Sequence, residues 1–283
     1  MSAPSAVAQP RPTRRIQPTR GLAWIDVSEI WRYRELLYLL LWRDIKARYK
    51  QTFLGAFWAI FRPFISMVLF TVIFGHLAHI KTGSSIPYPL FVFTGVLVWT
   101  YFSSTVTSGA SSIAGNASIL GKIYFPRLYA PLAAVVAPLV DFALSFVIMI
   151  GLFAWYSRLP SWHIVFLPAV LLLALAIGLG ISLWLASASI RYRDLQFALP
   201  FAVQIWLYIT PIIYPVSLVP PSYRWLIDLN PATAVAEGAR WSLLGGSPPA
   251  GWALVASIGM AALLLVSGIL YFRRAERTFV DVM

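Results

Sequence analysis

The chain is predicted to be an all-α integral membrane protein, and three observations carry that prediction. Of its 283 residues 59% are apolar and 11% charged, with a mean hydropathy of +0.76, whereas a soluble domain carries roughly a quarter charged residues. Six stretches each offer about 20 mostly apolar residues, the length a helix needs to cross a bilayer. The basic residues that give a net charge of +12 stand mostly beside those stretches, where anionic headgroups and the orientation rule account for them better than nucleic acid does. There is no cysteine, which excludes a disulfide framework, a thiolate metal site and a thiol nucleophile.

Residues 1–30 are rich in Pro, Arg, Thr and Ala and contain no apolar core of a signal peptide, so they read as a disordered basic tail. Residues 31–53 form the first predicted element. Tyr38, Leu41, Ile45 and Tyr49 make an apolar line, and Arg43, Lys46 and Lys50 a basic one, both at three-and-four spacing. That period describes a helix lying along the lipid surface ahead of the first span. Its cationic side serves either as a juxtamembrane anchor or as a dock for a cytoplasmic partner.

Residues 54–272 hold the six expected spans: Leu54 to Phe74, Pro89 to Ser108, Leu132 to Tyr156, Ile164 to Ser187, Phe197 to Val216 and Trp252 to Phe272. With the amino terminus inside, the inner segments collect Lys122, Arg127, Arg191, Arg193, Arg273 and Arg274. The outer loops keep Lys81, Arg158, Arg224 and Arg240. Both termini, including the tail 273–283, are therefore expected in the cytoplasm. Pro138 interrupts the third span, and Pro200 and Pro211 the fifth, so the freed backbone groups need other partners. Gly178, Ser182 and Ala186 give the fourth span a small face for close packing. The outer segment 217–250 is broken by five prolines, yet Trp225 to Leu229 and Ala232 to Leu244 keep helical character. It reads as two short re-entrant helices buried in protein or lining a cavity, with a plain surface loop as the alternative.

Catalytic chemistry is sparse. His76 and His79 lie three apart at the outer end of a span with no third ligand beside them. The stretch from Gly115 to Lys122 approaches a phosphate loop, but has one residue too many and Ile123 where magnesium needs a hydroxyl. No carboxylate pair or serine–histidine constellation stands within reach. Two charges fall inside spans, Arg62 in the first and Asp141 in the third, each about 13 Å from its inner end. Such charges are costly and face a partner or a watery path, so an Arg62–Asp141 pair is the first reading and Arg62 facing an anionic substrate the second. Trp58, Phe61, Trp99, Phe102, Trp206 and Tyr208 stand away from span ends. They are either lipid-facing packing or rings on which sugars stack.

At this point LLYLLLWRDIKARYKQTFLGAFWAIFRPFISMVLFTVIFG resembles the amino-terminal signature of membrane subunits of bacterial polysaccharide ABC exporters. So do NASILGKIYFPRLYAPLA (Asn116 to Ala133), RYRDL (Arg191 to Leu195) and LNPATAVAEGAR (Leu229 to Arg240), in family order. Arg62 departs from the family, where glutamine often precedes the proline. The resemblance implies the type-2 ABC exporter permease fold: a homodimer in the bacterial inner membrane, a channel between the subunits, and two separate cytoplasmic ATPase subunits. It implies a lipid-linked polysaccharide of the O-antigen kind as substrate, with the alternatives of a small lipid or drug and, from another class, a membrane glycosyl- or acyltransferase. It further implies that the chain is no enzyme and holds no cofactor, ATP and magnesium belonging to the partner. Coupling to the ATPase falls to Arg43, Lys46, Lys50, Asn116, Lys122 and Arg127. An outer gate is implied around Asp228, Asn230, Pro231, Glu237 and Arg240, and a substrate channel lined by the aromatic set with Arg62.

Overall fold

The structure is a computed structural model and describes residues 31, 33–50, 55–82, 86–116, 126–192 and 194–276. A short amino-terminal unit, Met1–Arg34, is distinct from the body, Glu35–Met283. Among the described residues of the body all regular structure is helical. The elements are α1 (Arg34–Tyr49), α2 (Gly55–Phe70, continued by a π-helical stretch Thr71–Leu77), α3 (Tyr88–Gly115), α4 (Tyr129–Val136), α5 (Pro138–Trp155), α6 (Leu167–Arg191), α7 (Leu195–Ile209), α8 (Pro221–Leu229), α9 (Pro231–Leu244) and α10 (Gly251–Glu276). The segment expected to couple to an ATPase, between Asn116 and Arg127, with Lys122 and the phosphate-loop-like stretch, lies outside the described residues apart from its ends.

α3 is the axis of the bundle. It is the most buried span and packs against α2, α4, α5, α6, α7 and α9. Its hydroxyl-rich inner half was expected to end at Ser108, but the helix runs on to Gly115. Thr100, Thr105 and Thr107 each donate to the carbonyl four residues back, and Ser112 to Gly109. Polar side chains that satisfy themselves on their own helix avoid most of the cost of an unpaired group in an apolar setting, which a hydropathy reading does not see.

The third expected span is built from α4 and α5, continuous through Ala137, with Pro138 opening α5. Pro63, inside α2, has no N–H to offer the Ala59 carbonyl; the Ser145 hydroxyl of α5 donates to that carbonyl instead, at 2.9 Å. The expectation of six full spans needs correction at the fifth. Among the described residues five helical segments are long and apolar enough to cross a bilayer, but α7 has 15 residues, about 22 Å at 1.5 Å per residue. Thr210 turns to an extended conformation ahead of Pro211, as residues before proline do. The Tyr214 hydroxyl then donates to the Ile209 carbonyl left at the helix end (3.1 Å).

α6 is gripped on two sides because its small residues allow it. A Cβ on Gly178 would stand 2.7 Å from Thr105, and one on Gly180 would stand 2.7 Å from the backbone of Leu264 in α10. Gly268 meets the Gly180 carbonyl at the same distance from the other side. Backbone cannot yield as a side chain can, so Gly180→Leu is expected to separate α6 from α10 and destabilise by about 1–3 kcal/mol or more. Unfolding in a mixed-detergent titration measures this, with Gly151→Ala, whose Cβ meets nothing within 4 Å, as the neutral control.

Candidate functional site

Three constellations of polar and aromatic side chains are built into this bundle. The first joins α1 to the spans. Arg48 Nη1 donates to Asp141 Oδ2 of α5 at 2.5 Å, and its Nη2 donates to the Ser108 hydroxyl of α3 at 2.8 Å. The neighbouring Tyr49 hydroxyl donates to Asp141 Oδ1. Burial, and then the Asp141 carboxylate accepting its proton, hold the Tyr49 phenol above the ordinary tyrosine range. Arg48 thus ties the last turn of α1 to two helices, and Tyr49 adds a second bond to the same carboxylate, a latch at the end the sequence assigns to the cytoplasm.

This latch corrects the expected Arg62–Asp141 pair. Asp141 belongs to Arg48, and Arg62 is exposed on α2 with no ion pair among the described residues. Depth along a helix does not fix which way a side chain points, and the last turn of α1 reaches Asp141 to supply the cation instead. Arg48 was the residue to notice. It falls on the apolar line of Leu41 and Ile45, where an arginine has to be answered by an acid. The expected basic face behaves differently: Arg43 bonds to the adjacent Asp44 (2.6 Å), Lys46 lies 5.2 Å from the Trp42 ring centroid, and Lys50 is exposed. On the apolar line Tyr38 is exposed, and the buried residue is Leu40.

At the same end Asn116 is buried and closes α3 by donating to the Ser112 carbonyl (2.7 Å). Arg127 reaches the other terminus of the body. Its Nη1 donates to the Glu276 carbonyl (2.8 Å) and its backbone N–H to Glu276 Oε1 (3.3 Å), a partnership 149 residues apart that the sequence did not disclose.

The second constellation is the clamp at the opposite end. α9 is buried among α3, α6 and α10, whereas α8 has no buried residue, so of the outer segment it is α9 that is embedded in protein. Arg240 is 5% exposed. Its Nη1 donates to the Pro211 carbonyl and to Glu237 Oε1 (2.7 and 2.6 Å), its Nη2 donates to the Ile212 carbonyl (2.7 Å), and its guanidinium lies 3.7 Å from the Phe91 ring centroid. Gly95 makes the space: a Cβ there would come within 2.9 Å of Arg240 Nη2. Asn230, at the cap of α9, accepts from the Ala232 N–H (3.1 Å) and from Trp206 Nε1 (3.0 Å), and donates to the Thr210 hydroxyl (2.9 Å). Pro231 opens α9 at its first position, where no N–H is missed. Arg240 and Asn230 therefore fasten α9 to the broken end of α7.

Asp228, on α8, is half-buried; burial pushes its carboxyl above the ordinary value of 3.8, Arg224 pulls it down and Glu237 pushes it up. A folded-state pKa raised in this way gives stability below the unfolded value that is lost as pH rises. Near neutral pH the ionised group is a liability. Asp228→Asn is accordingly expected to raise the melting temperature at pH 7 and to lose that advantage toward pH 4, as a pair of thermal scans would show.

The third constellation is aromatic, and the structure splits the expected set. Phe102 and Trp99, 1% and 8% exposed, are core residues. They pack with Trp206 edge to face at 5.1 and 6.0 Å. They correct the expectation of a six-member channel lining, since α7 covers the rings that a linear reading left open. Trp58 and Tyr208 are 46% and 52% exposed. Phe61 stacks on Phe57 at 4.9 Å and meets Trp58 at 5.7 Å, so the surface group on α2 includes Phe57.

The sequence profile of the ABC-2 type transporter family matches residues 35–244. The chain is 32% identical over 255 residues to the O-antigen export system permease protein RfbA of Myxococcus xanthus, covering 88% of this chain and 96% of that protein. It is 24% identical over 251 residues to the RfbA permease of Klebsiella pneumoniae, covering 88% and 95%. It is also 24% identical over 249 residues to the polysialic acid transport protein KpsM of Escherichia coli, covering 86% and 93%.

Proposed function

The chain belongs to the ABC-2 type transporter family, and from that premise we propose that it is the membrane subunit of an ATP-driven exporter of lipid-linked polysaccharide. The observation that carries the cargo is the 32% identity to an O-antigen export permease over nearly the full length of both chains. In this reading two copies enclose the path in the cytoplasmic membrane with both termini inside, and two separate ATPase subunits supply the force. The chain itself then catalyses no reaction and holds no cofactor, with ATP and magnesium on the partner. The ATPase would press on α1, with Arg43, Lys46 and Lys50, and on the segment from Asn116 through Lys122 to Arg127. The latch passes that movement to α3 and α5, and the clamped hairpin of α8 and α9, with Asp228 and Glu237, acts as the outer gate.

The exposed rings Phe57, Trp58 and Tyr208, with half-buried Phe61 beside them, are the surface left for sugar contact, because aromatic faces on two copies offer many weak, sequence-tolerant contacts to a moving polymer. Trp58→Leu combined with Tyr208→Leu should leave folding intact and lower export several-fold. Phe102→Leu should instead lower folded yield, as core truncation does. Both are read as surface polysaccharide against membrane protein abundance. The proposed assembly is tested by tagging the chain at its carboxyl end and purifying it together with the product of the neighbouring reading frame. A stoichiometric ATPase carrying a GxxxxGK[ST] loop is expected, and its absence from the complex contradicts the reading.

A further inference from the structure

We infer that Arg62 is the binding residue for a phosphate headgroup in the inner half of the membrane, a site that rests on the transport reading only for the identity of the molecule bearing the phosphate. Arg62 is seven residues into α2 from Gly55, about 10 Å along the helix. It is exposed and makes no hydrogen bond or ion pair among the described residues. A charge at this depth needs an opposite charge or a polar path.

Among the described residues no acid within the spans is left to supply that charge. Of its ten acidic residues seven are described; among these Asp44 is held by Arg43, Asp141 by Arg48 and Tyr49, Glu237 by Arg240, and Glu276 by Arg127. A second copy brings the same engaged acids. Glu35 lies in the first turn of α1, Asp194 stands just before α7, and Asp228 is on α8 in the outer segment. No described acid pairs with Arg62, which leaves its counter-anion to a ligand. A guanidinium fork matches phosphate bidentately. Trp58, one turn back on the same face and 46% exposed, supplies an apolar neighbour for the tail of an amphiphile. The phosphate belongs either to the transported lipid or to a resident phospholipid.

The absence of cysteine makes the test direct. Ser66→Cys, one turn beyond Arg62, carries a polarity-sensitive fluorophore on the full chain in phosphatidylcholine nanodiscs, titrated with dodecyl phosphate and with dodecanol. A saturable response to dodecyl phosphate alone is expected, weakened at least about tenfold by Arg62→Gln and largely kept by Arg62→Lys and Asp194→Asn. Equal responses in Arg62 and Arg62→Gln protein overturn the site, as does Asp194→Asn matching Arg62→Gln, which would make an acid of the protein the true partner. Arg62→Lys guards against misfolding of the glutamine variant. Discs containing phosphatidylglycerol assign the source: a surviving response supports a phosphate on the cargo, and a suppressed one supports a bilayer lipid at the same arginine. Because the titration needs neither ATPase nor polymer, a negative result here leaves the export reading intact, and failed export leaves this result standing.

Discussion

Arg240→Ala is expected to cost about 3–5 kcal/mol of stability, the range for removing one partner of a buried ion pair. The arginine is nearly inaccessible and serves the Pro211 and Ile212 carbonyls, Glu237 and the Phe91 ring at once. Removing it strands two carbonyls and a carboxylate, and opens a space that Gly95 was there to provide. Arg240→Lys should recover only part of the loss, because one ammonium cannot span two carbonyls as the planar fork does. The hairpin of α8 and α9 should loosen before the remaining bundle does. Limited proteolysis between α7 and α9, alongside unfolding in denaturing detergent, reads both effects. Wild-type protease resistance in Arg240→Ala would mean that helix packing alone holds α9.

Asp141→Ala is expected to have the largest effect on transport. It removes the acceptor for both Arg48 and Tyr49 and frees α1 from α5, leaving the Arg48–Ser108 bond to α3. The side chains are only partly buried, so the stability cost is that of lost charge-assisted hydrogen bonds, about 1.5–3 kcal/mol. The functional cost should be larger, since ATP hydrolysis would then move α1 without moving the spans. The exchange Arg48→Asp with Asp141→Arg should restore part of both. Thiols placed at 48 and 141 in this cysteine-free chain should cross-link α1 to α5 without an interfering background. ATPase activity that persists while export falls in Asp141→Ala would locate the defect in transmission; equal loss of both would assign it to assembly.

Local features of this architecture were legible because they are periodic or proline-marked. The long apolar runs, the break at Pro211, the paired helices of the outer segment and the small face at Gly178 and Ser182 all appear in the sequence and again in the bundle. What depends on contacts remote along the chain was not legible. Arg48 and Asp141 are 93 residues apart, and only the three-dimensional return of α1 shows that Arg48, not Arg62, answers the acid. The same holds for Phe102 and Trp206, rings whose burial is decided by where α7 lies against α3. Arg240 read as a charge in an outer loop because its surroundings, short and proline-rich, look polar. Its burial follows from α9 sitting among α3, α6 and α10, which no local pattern encodes. The inner half of α3 was cut short for the opposite reason: serine and threonine look like a span's end until their hydroxyls are seen bonding to their own helix.

The central claim is that this chain carries polysaccharide across the cytoplasmic membrane. The direct measurement is surface polysaccharide in cells deleted for this gene and complemented with the wild-type chain or with Asp141→Ala at matched abundance. The account predicts that the deletion strain loses the surface polymer and accumulates it, still lipid-linked, inside the cell. The wild-type chain should restore export and Asp141→Ala should not. Undiminished surface polymer in the deletion strain, with no internal accumulation, would contradict it.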